Sequence, residues 1–260
     1  MSEQYRFGVR VEYPNTNLNA FDRFVRISQF FAFITGLSIE GPRIPSEGPV
    51  LLTANHTSFQ DIPAMAYTSF LSGRMVRGVA RRDLVDLTYK EPKEVLKRVG
   101  KYGHFDPVKL PFIRPFIANT LAGAGAIGVS RERPRDISED KKLKEETNEV
   151  LHAGEVLGMF FEDTRVKSGD LSEVQPGIGA LILRHIDVPI VVASIWPKEF
   201  GYKIILHKAV TGRELINGRI RSREVAAKIA DICASDMPEP IKVRWEEVYR
   251  PLVLNPPRTI

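Results

Sequence analysis

Apolar residues along the chain gather in short runs bounded by glycine, proline and charge. Val50 to Ala54, Gly125 to Val129, Val156 to Phe161, Val188 to Ile195 and Lys203 to Val210 each span five to eight residues rich in aliphatic side chains. Runs of that length predict buried strands, because a helix needs a longer periodic stretch. Between them, Ser138 to His152 reads as a charged amphipathic helix closing near Gly154. Ser222 to Ala234 sets Val225, Ala226, Ile229 and Ile232 on one helical face, and Lys90 to Lys97 is a further predicted helix. Leu110 to Ile117 contains two prolines and is not expected to form a long helix. Strands alternating with helices predict an α/β fold: a central, mostly parallel or mixed sheet flanked by helices.

The Gly/Pro-rich stretch from Gly41 to Pro49 marks a break, so the expected organisation is a segment 1–40 followed by an α/β domain 41–260. Within the first segment, Phe24, Phe30, Phe31 and Phe33 accompany Arg23 and Arg26. An apolar helical element with arginines at its edge suits a membrane interface or acyl chains, and equally suits packing on the core. The stretch is too short and too charged to be a spanning helix, and the first residues lack the basic and apolar regions of a secretory leader.

At 260 residues and 43% hydrophobic content the chain can bury a full core without a staple. A single cysteine, Cys233, excludes an intrachain disulfide and a cysteine metal pair, which makes a reducing, cytoplasmic setting the expectation. The net charge of +5 favours anionic partners. Lysines and arginines are dispersed without an aromatic-basic reading motif, so acidic lipid surfaces or phosphorylated substrates are expected rather than nucleic acid.

Against that background, Asn55-His56-Thr57-Ser58-Phe59-Gln60-Asp61 stands at the end of the first predicted strand. A histidine before a helix and a carboxylate in its first turn can face each other, giving the base and orienter of a triad whose hydroxyl comes from substrate. The same residues also fit a capping box, Ser58-x-x-Asp61, beside an ordinary loop histidine. Gly123-x-Gly125-x-x-Gly128 matches a dinucleotide fingerprint literally, but Pro134 and charges stand where its helix should open, so a nucleotide site is not expected. Gly125 to Arg131 reads better as a strand presenting Arg131, whose planar fork suits phosphate. Phe160-Phe-Glu162-Asp163-Thr164-Arg165 is an apolar strand ending in a polar cluster, a place where a rigid scaffold holds functional groups in the open. No Gly-x-Ser-x-Gly elbow, Walker loop or His-Glu-x-x-His zinc helix is present.

In this order and spacing, the blocks at His56–Asp61, Gly125–Arg131, Phe160–Arg165 and Val188–Val191 resemble the acylglycerol-phosphate acyltransferase family, with its His-x-x-x-x-Asp motif. The resemblance implies an enzyme of the O-acyltransferase class. It would move a fatty acyl group from acyl-CoA or acyl-carrier protein to a glycerolipid-like acceptor, with 1-acyl-glycerol-3-phosphate foremost. His56 and Asp61 would be catalytic, and Arg131, Glu162, Asp163, Thr164 and Arg165 would line the acceptor site. No metal or bound cofactor is implied; the expected setting is peripheral, on the inner face of a membrane with anionic lipid. Asp163 stands where the family has glycine, and a carboxylate there opposes a phosphate dianion. A non-phosphorylated acceptor (glycolipid, amino-acid lipid or secondary metabolite) is therefore the alternative, followed by a non-catalytic lipid-binding protein.

Overall fold

The computed structural model describes residues 4–6, 9–11, 25–30, 32–33, 36–58, 61–86, 113–130, 137–162, 171, 174–198, 201–216, 218 and 220–255. Strands β1 (Gln4–Arg6) and β2 (Val9–Val11) pair with each other as an antiparallel hairpin. Helix α1, residues 25–30 with 32–33 continuing it, leads to β3 (Ser38–Glu40). There follow β4 (Val50–Ala54), α2 (Asp61–Leu71), β5 (Val76–Arg81), α3 (Ile113–Gly123), β6 (Ile127–Val129), α4 (Ile137–His152) and β7 (Val156–Phe160). The last third holds α5 (Pro176–Arg184), β8 (Pro189–Pro197), β9 (Tyr202–Leu206), β10 (Val210–Thr211) and the short α6 (Gly212–Leu215). It closes with α7 (Ser222–Ser235), α8 (Glu239–Arg244), a π-helical turn over Trp245–Tyr249 and α9 (Arg250–Leu254).

One local device recurs at four of the junctions where a helix feeds a strand. Gly36, Gly73, Gly125 and Gly154 all sit at positive φ, between 57° and 72°. In each case the glycine amide and the next amide bond back to carbonyls of the last helical turn, as in Gly154 N to Leu151 O (3.1 Å) and Glu155 N to Val150 O (3.1 Å). This is the Schellman closure, which satisfies orphan carbonyls and turns the chain sharply. It launches β3, β5, β6 and β7 from α1, α2, α3 and α4. Gly125 therefore ends a helix and starts a strand, the reverse of the strand-to-helix order a dinucleotide fingerprint needs.

The main sheet has eight strands in the order β3-β9-β8-β4-β7-β5-β6, with β10 also on β8. From β8 to β6 every pairing is parallel; β9 and β10 run antiparallel to β8, so the sheet is mixed. β4 lies at its centre and is buried at all five positions, which explains why its sequence is apolar without alternation. The edge strand β3 precedes the break at Gly41, so the sheet takes in residues on both sides of that point. One core beneath the sheet gathers Leu157, Val192, Ile178, Ile229 and Trp245; the other, on the opposite face, gathers Leu52, Val191, Ile195, Ile204 and Met65.

Two expectations need correction. The segment 113–117, not expected to belong to a long helix, opens the eleven-residue α3. Pro115 falls in its first turn, where a missing amide proton costs nothing. The single strand expected over Lys203 to Val210 is two: β9 and β10 both pair with β8, and between them His207 N bonds to Val192 O (2.9 Å). The predicted helix Lys90 to Lys97 lies outside the described residues.

Helices α5 and α7 pack closely because Gly179 lets them approach: a β-carbon there would meet the Ser222 carbonyl oxygen at 1.8 Å. Gly179→Ala is expected to cost about 1–3 kcal/mol of stability through overpacking. Gly177→Ala, in the same helix with nothing within 4 Å, should be neutral or gain up to about 1 kcal/mol. Chemical denaturation of both variants checks the contrast.

Candidate functional site

Strands β4 and β7 run side by side in the same direction and end together, Ala54 opposite Phe160. In an open α/β sheet the crevice beyond such carboxyl ends is where ligands bind. The loops that leave this rim are fixed by short bonds. Buried Asn55 acts as an extra strand residue: its Nδ2 donates to Ile195 O and its Oδ1 accepts from Ile195 N, both at 2.7 Å. His56 N donates to Glu162 Oε2 at 2.5 Å. The backbone at His56 is thus tied to β8 through the residue before it and to the end of β7 through its own amide.

The His56 ring stacks on Phe160, with centroids 4.1 Å apart and planes 12° from parallel. Its Nδ1 lies 3.1 Å from Asp61 Oδ2. Asp61 opens α2 and is wholly buried, so its charge must be met by donors. They are there: Thr57 N (2.5 Å) and Ser58 N (2.7 Å) donate to Oδ2, and the hydroxyls of Thr57 (3.1 Å) and Ser58 (3.2 Å) donate to Oδ1. A carboxylate only accepts, so the ring proton belongs on Nδ1 and the lone pair on Nε2. The His56 side chain keeps 12% of its surface exposed while Asp61 keeps none. An imidazole fixed against a buried carboxylate is able to take a proton from a hydroxyl. The Ser58 N to Asp61 bond is also the carboxylate half of a capping box, so the two readings of this motif describe one arrangement.

Of the residues assigned to acceptor binding, Glu162 is placed here, buried, and its carboxylate holds the His56 backbone. Asp163, Thr164, Arg165 and Arg131 lie outside the described residues. So do Phe24 and Phe31. Phe30 and Phe33 are 65% and 85% exposed, whereas Val25, Ser28 and Ala32 on the other face of α1 are buried.

Three residues at this rim were not singled out from sequence. Asn55 bridges to β8, Tyr202 at the start of β9 places its hydroxyl 3.2 Å from Ser58 Oγ, and Arg81 is a buried cation ending β5, in register with Val129. Only Asn55, next to the histidine, carried a local signal; the others depend on strand pairing.

A second Ser–His–Asp grouping lies on the opposite face of the sheet. Ser194 Oγ is 2.7 Å from His207 Nε2, and His207 Nδ1 is 3.3 Å from Asp236. Ser194 is wholly buried and its hydroxyl donates to the Cys233 carbonyl at 2.7 Å, so it is no accessible nucleophile. Burial holds His207 below its ordinary value, with Asp236 opposing. Burial likewise pushes the Cys233 thiol up to about 12, which leaves it unreactive. Among the described residues no cluster of His, Cys, Asp or Glu is arranged to hold a metal.

The family model for acyltransferases matches residues 37–196, more than half of the chain and the whole of this rim's first two loops. The chain belongs to the acyltransferase family. Among solved structures, this acyltransferase is similar to the crystal structure of the 1-acyl-sn-glycerophosphate (LPA) acyltransferase PlsC from Thermotoga maritima, at 18% identity and a TM-score of 0.50. The match covers 87% of this chain and 78% of that one, and at this identity it is a likeness of fold. No curated protein matches in sequence. In the acyltransferase, Tyr202, His207 and α7 all lie beyond the segment that the family model covers.

Proposed function

We propose that this acyltransferase transfers a fatty acyl group from acyl-CoA or acyl-carrier protein to a glycerolipid-like acceptor, with His56 as general base and Asp61 as its orienter. The observation that carries the proposal is the 3.1 Å contact between His56 Nδ1 and the buried Asp61 carboxylate, which leaves Nε2 as the proton acceptor. The acceptor oxygen attacks the thioester carbonyl carbon as its proton passes to His56 Nε2. The tetrahedral oxyanion then collapses, the carbon–sulfur bond breaks, and the departing thiolate takes the proton back from the imidazolium. Asp61 lowers the energy of that imidazolium without accepting the proton itself.

For the acceptor, 1-acyl-glycerol-3-phosphate is the first choice, since the chain's basic balance suits a phosphate and Arg131 and Arg165 follow β6 and β7 in sequence. Asp163 favours a second reading, an acceptor without phosphate. The setting we propose is the cytoplasmic face of a membrane, held peripherally. Phe30 and Phe33, exposed on the outer face of a helix whose inner face is packed, support contact with lipid. No helix among the described residues is long and apolar enough to cross a membrane.

With radiolabelled oleoyl-CoA as donor, His56→Ala is expected to lose on the order of 10²- to 10⁴-fold in rate while remaining folded. Asp61→Asn should lose most activity as well, although asparagine caps a helix about as well as aspartate. Near-normal transfer by folded His56→Ala would remove the base and promote lipid binding as the function. Running 1-oleoyl-glycerol-3-phosphate beside uncharged monooleoylglycerol decides between the acceptors: preference for the uncharged lipid would displace the first choice. Membrane contact is tested by flotation with phosphatidylglycerol-containing vesicles at low salt. The wild type should float and Phe30→Ser/Phe33→Ser should not; equal recovery of both in the soluble fraction would contradict it.

A further inference from the structure

Asp61 is the acceptor on which the His56 geometry rests, and one donor in its network comes from a distant part of the chain. Ser58 has a single hydroxyl proton, and it is directed at Asp61 Oδ1, 3.2 Å away. The Ser58 oxygen then has lone pairs to offer, and the Tyr202 hydroxyl lies 3.2 Å from it as donor. Tyr202 O–H donates to Ser58 Oγ and Ser58 O–H to Asp61, while His56 Nδ1–H donates to the same carboxylate from its other oxygen, so two arms converge on Asp61. Donors that share one carboxylate compete for its electron density, so the Tyr202 hydroxyl, acting through Ser58, affects the bond to His56.

Its placement is well defined. Tyr202 is the first residue of β9, paired with Pro197 at the end of β8, and the turn between them is closed by Lys198 N to Gly201 O (3.0 Å), with Gly201 at φ 97°. The ring packs against the core on the His56 side of the sheet together with Phe160 and Leu37. β8 is also the strand that Asn55 grips, so one hairpin locates both the backbone before His56 and the hydroxyl beyond Ser58. Glu162 is engaged with the His56 amide, and the Tyr202 hydroxyl with Ser58.

We infer that Tyr202 is a positioning residue for acyl transfer, acting through Ser58 on the Asp61–His56 pair. The inference rests on the reading of His56 as base and Asp61 as orienter. Tyr202 fixes the Ser58 rotor so that its proton points at Asp61, and it withdraws electron density from the carboxylate through that bond. Without it the Ser58 proton is free to turn away and the carboxylate binds the imidazolium more strongly. His56 is then more readily protonated, and its Nε2 is less well aimed.

The test is Tyr202→Phe, which keeps the ring and removes the hydroxyl, beside Ser58→Ala and the double variant. In oleoyl-CoA:1-oleoyl-glycerol-3-phosphate assays, Tyr202→Phe should lower kcat about 3- to 10-fold with KM unchanged, the scale of one neutral hydrogen bond. Ser58→Ala should do at least as much, and the double variant no more than Ser58→Ala alone. Independently of turnover, the His56 ring resonance, assigned by its loss in His56→Ala, should titrate at higher pH in Tyr202→Phe than in wild type. An unchanged His56 titration, or losses that add in the double variant, would overturn the inference. A fall in thermal stability without either change would mark Tyr202 as packing only and overturn it too. Full activity in His56→Ala would instead overturn the base assignment beneath it, whereas an inactive His56→Ala with an unmoved titration in Tyr202→Phe removes only the relay.

Discussion

A carboxylate with no exposed surface needs every lone pair met, and at Asp61 that requirement shapes the loop in front of it. Two backbone amides and two hydroxyls from Thr57 and Ser58 converge on its oxygens, so the chain between β4 and α2 has little freedom left. His56 Nδ1 shares Oδ2 with the two amides. Loop conformation, ring orientation and tautomer follow from one buried charge.

The sheet brings the parts together. Glycine-closed helix ends launch β5, β6 and β7 in a common direction, and the paired ends of β4 and β7 place His56 over Phe160 and beside Glu162. β8, on the other side of β4, contributes the main chain that Asn55 binds. An imidazole whose backbone is anchored to neighbouring strands and whose ring is stacked on Phe160 is held in one orientation. The opposite face has its own Ser194–His207–Asp236 grouping, yet burial turns similar chemistry into structure there. Access, rather than residue type, separates the two.

Much of this was legible in the chain itself. Val50–Ala54 and Val156–Phe160 read as buried strands because a strand covered on both faces has no polar positions to alternate with. His56 and Asp61 were legible as a pair because strand end and helix start set their separation locally. The split of β9 from β10 was not, since it depends on how each of them pairs with β8. The helix at Ile113 was masked by prolines whose cost depends on position in the turn. Tyr202 gave no signal, because the contact with Ser58 spans 144 residues and exists only once β8, β4 and β9 are assembled.

The central claim is that Asp61 holds His56 in the Nδ1–H tautomer with Nε2 unprotonated and ready to accept. The ¹⁵N chemical shifts of the His56 ring, read in uniformly labelled protein above the histidine titration, report that directly. The account predicts a protonated, pyrrole-like Nδ1 and a pyridine-like Nε2, with the preference weakened in Asp61→Asn. A pyridine-like Nδ1 in the wild-type protein would contradict it.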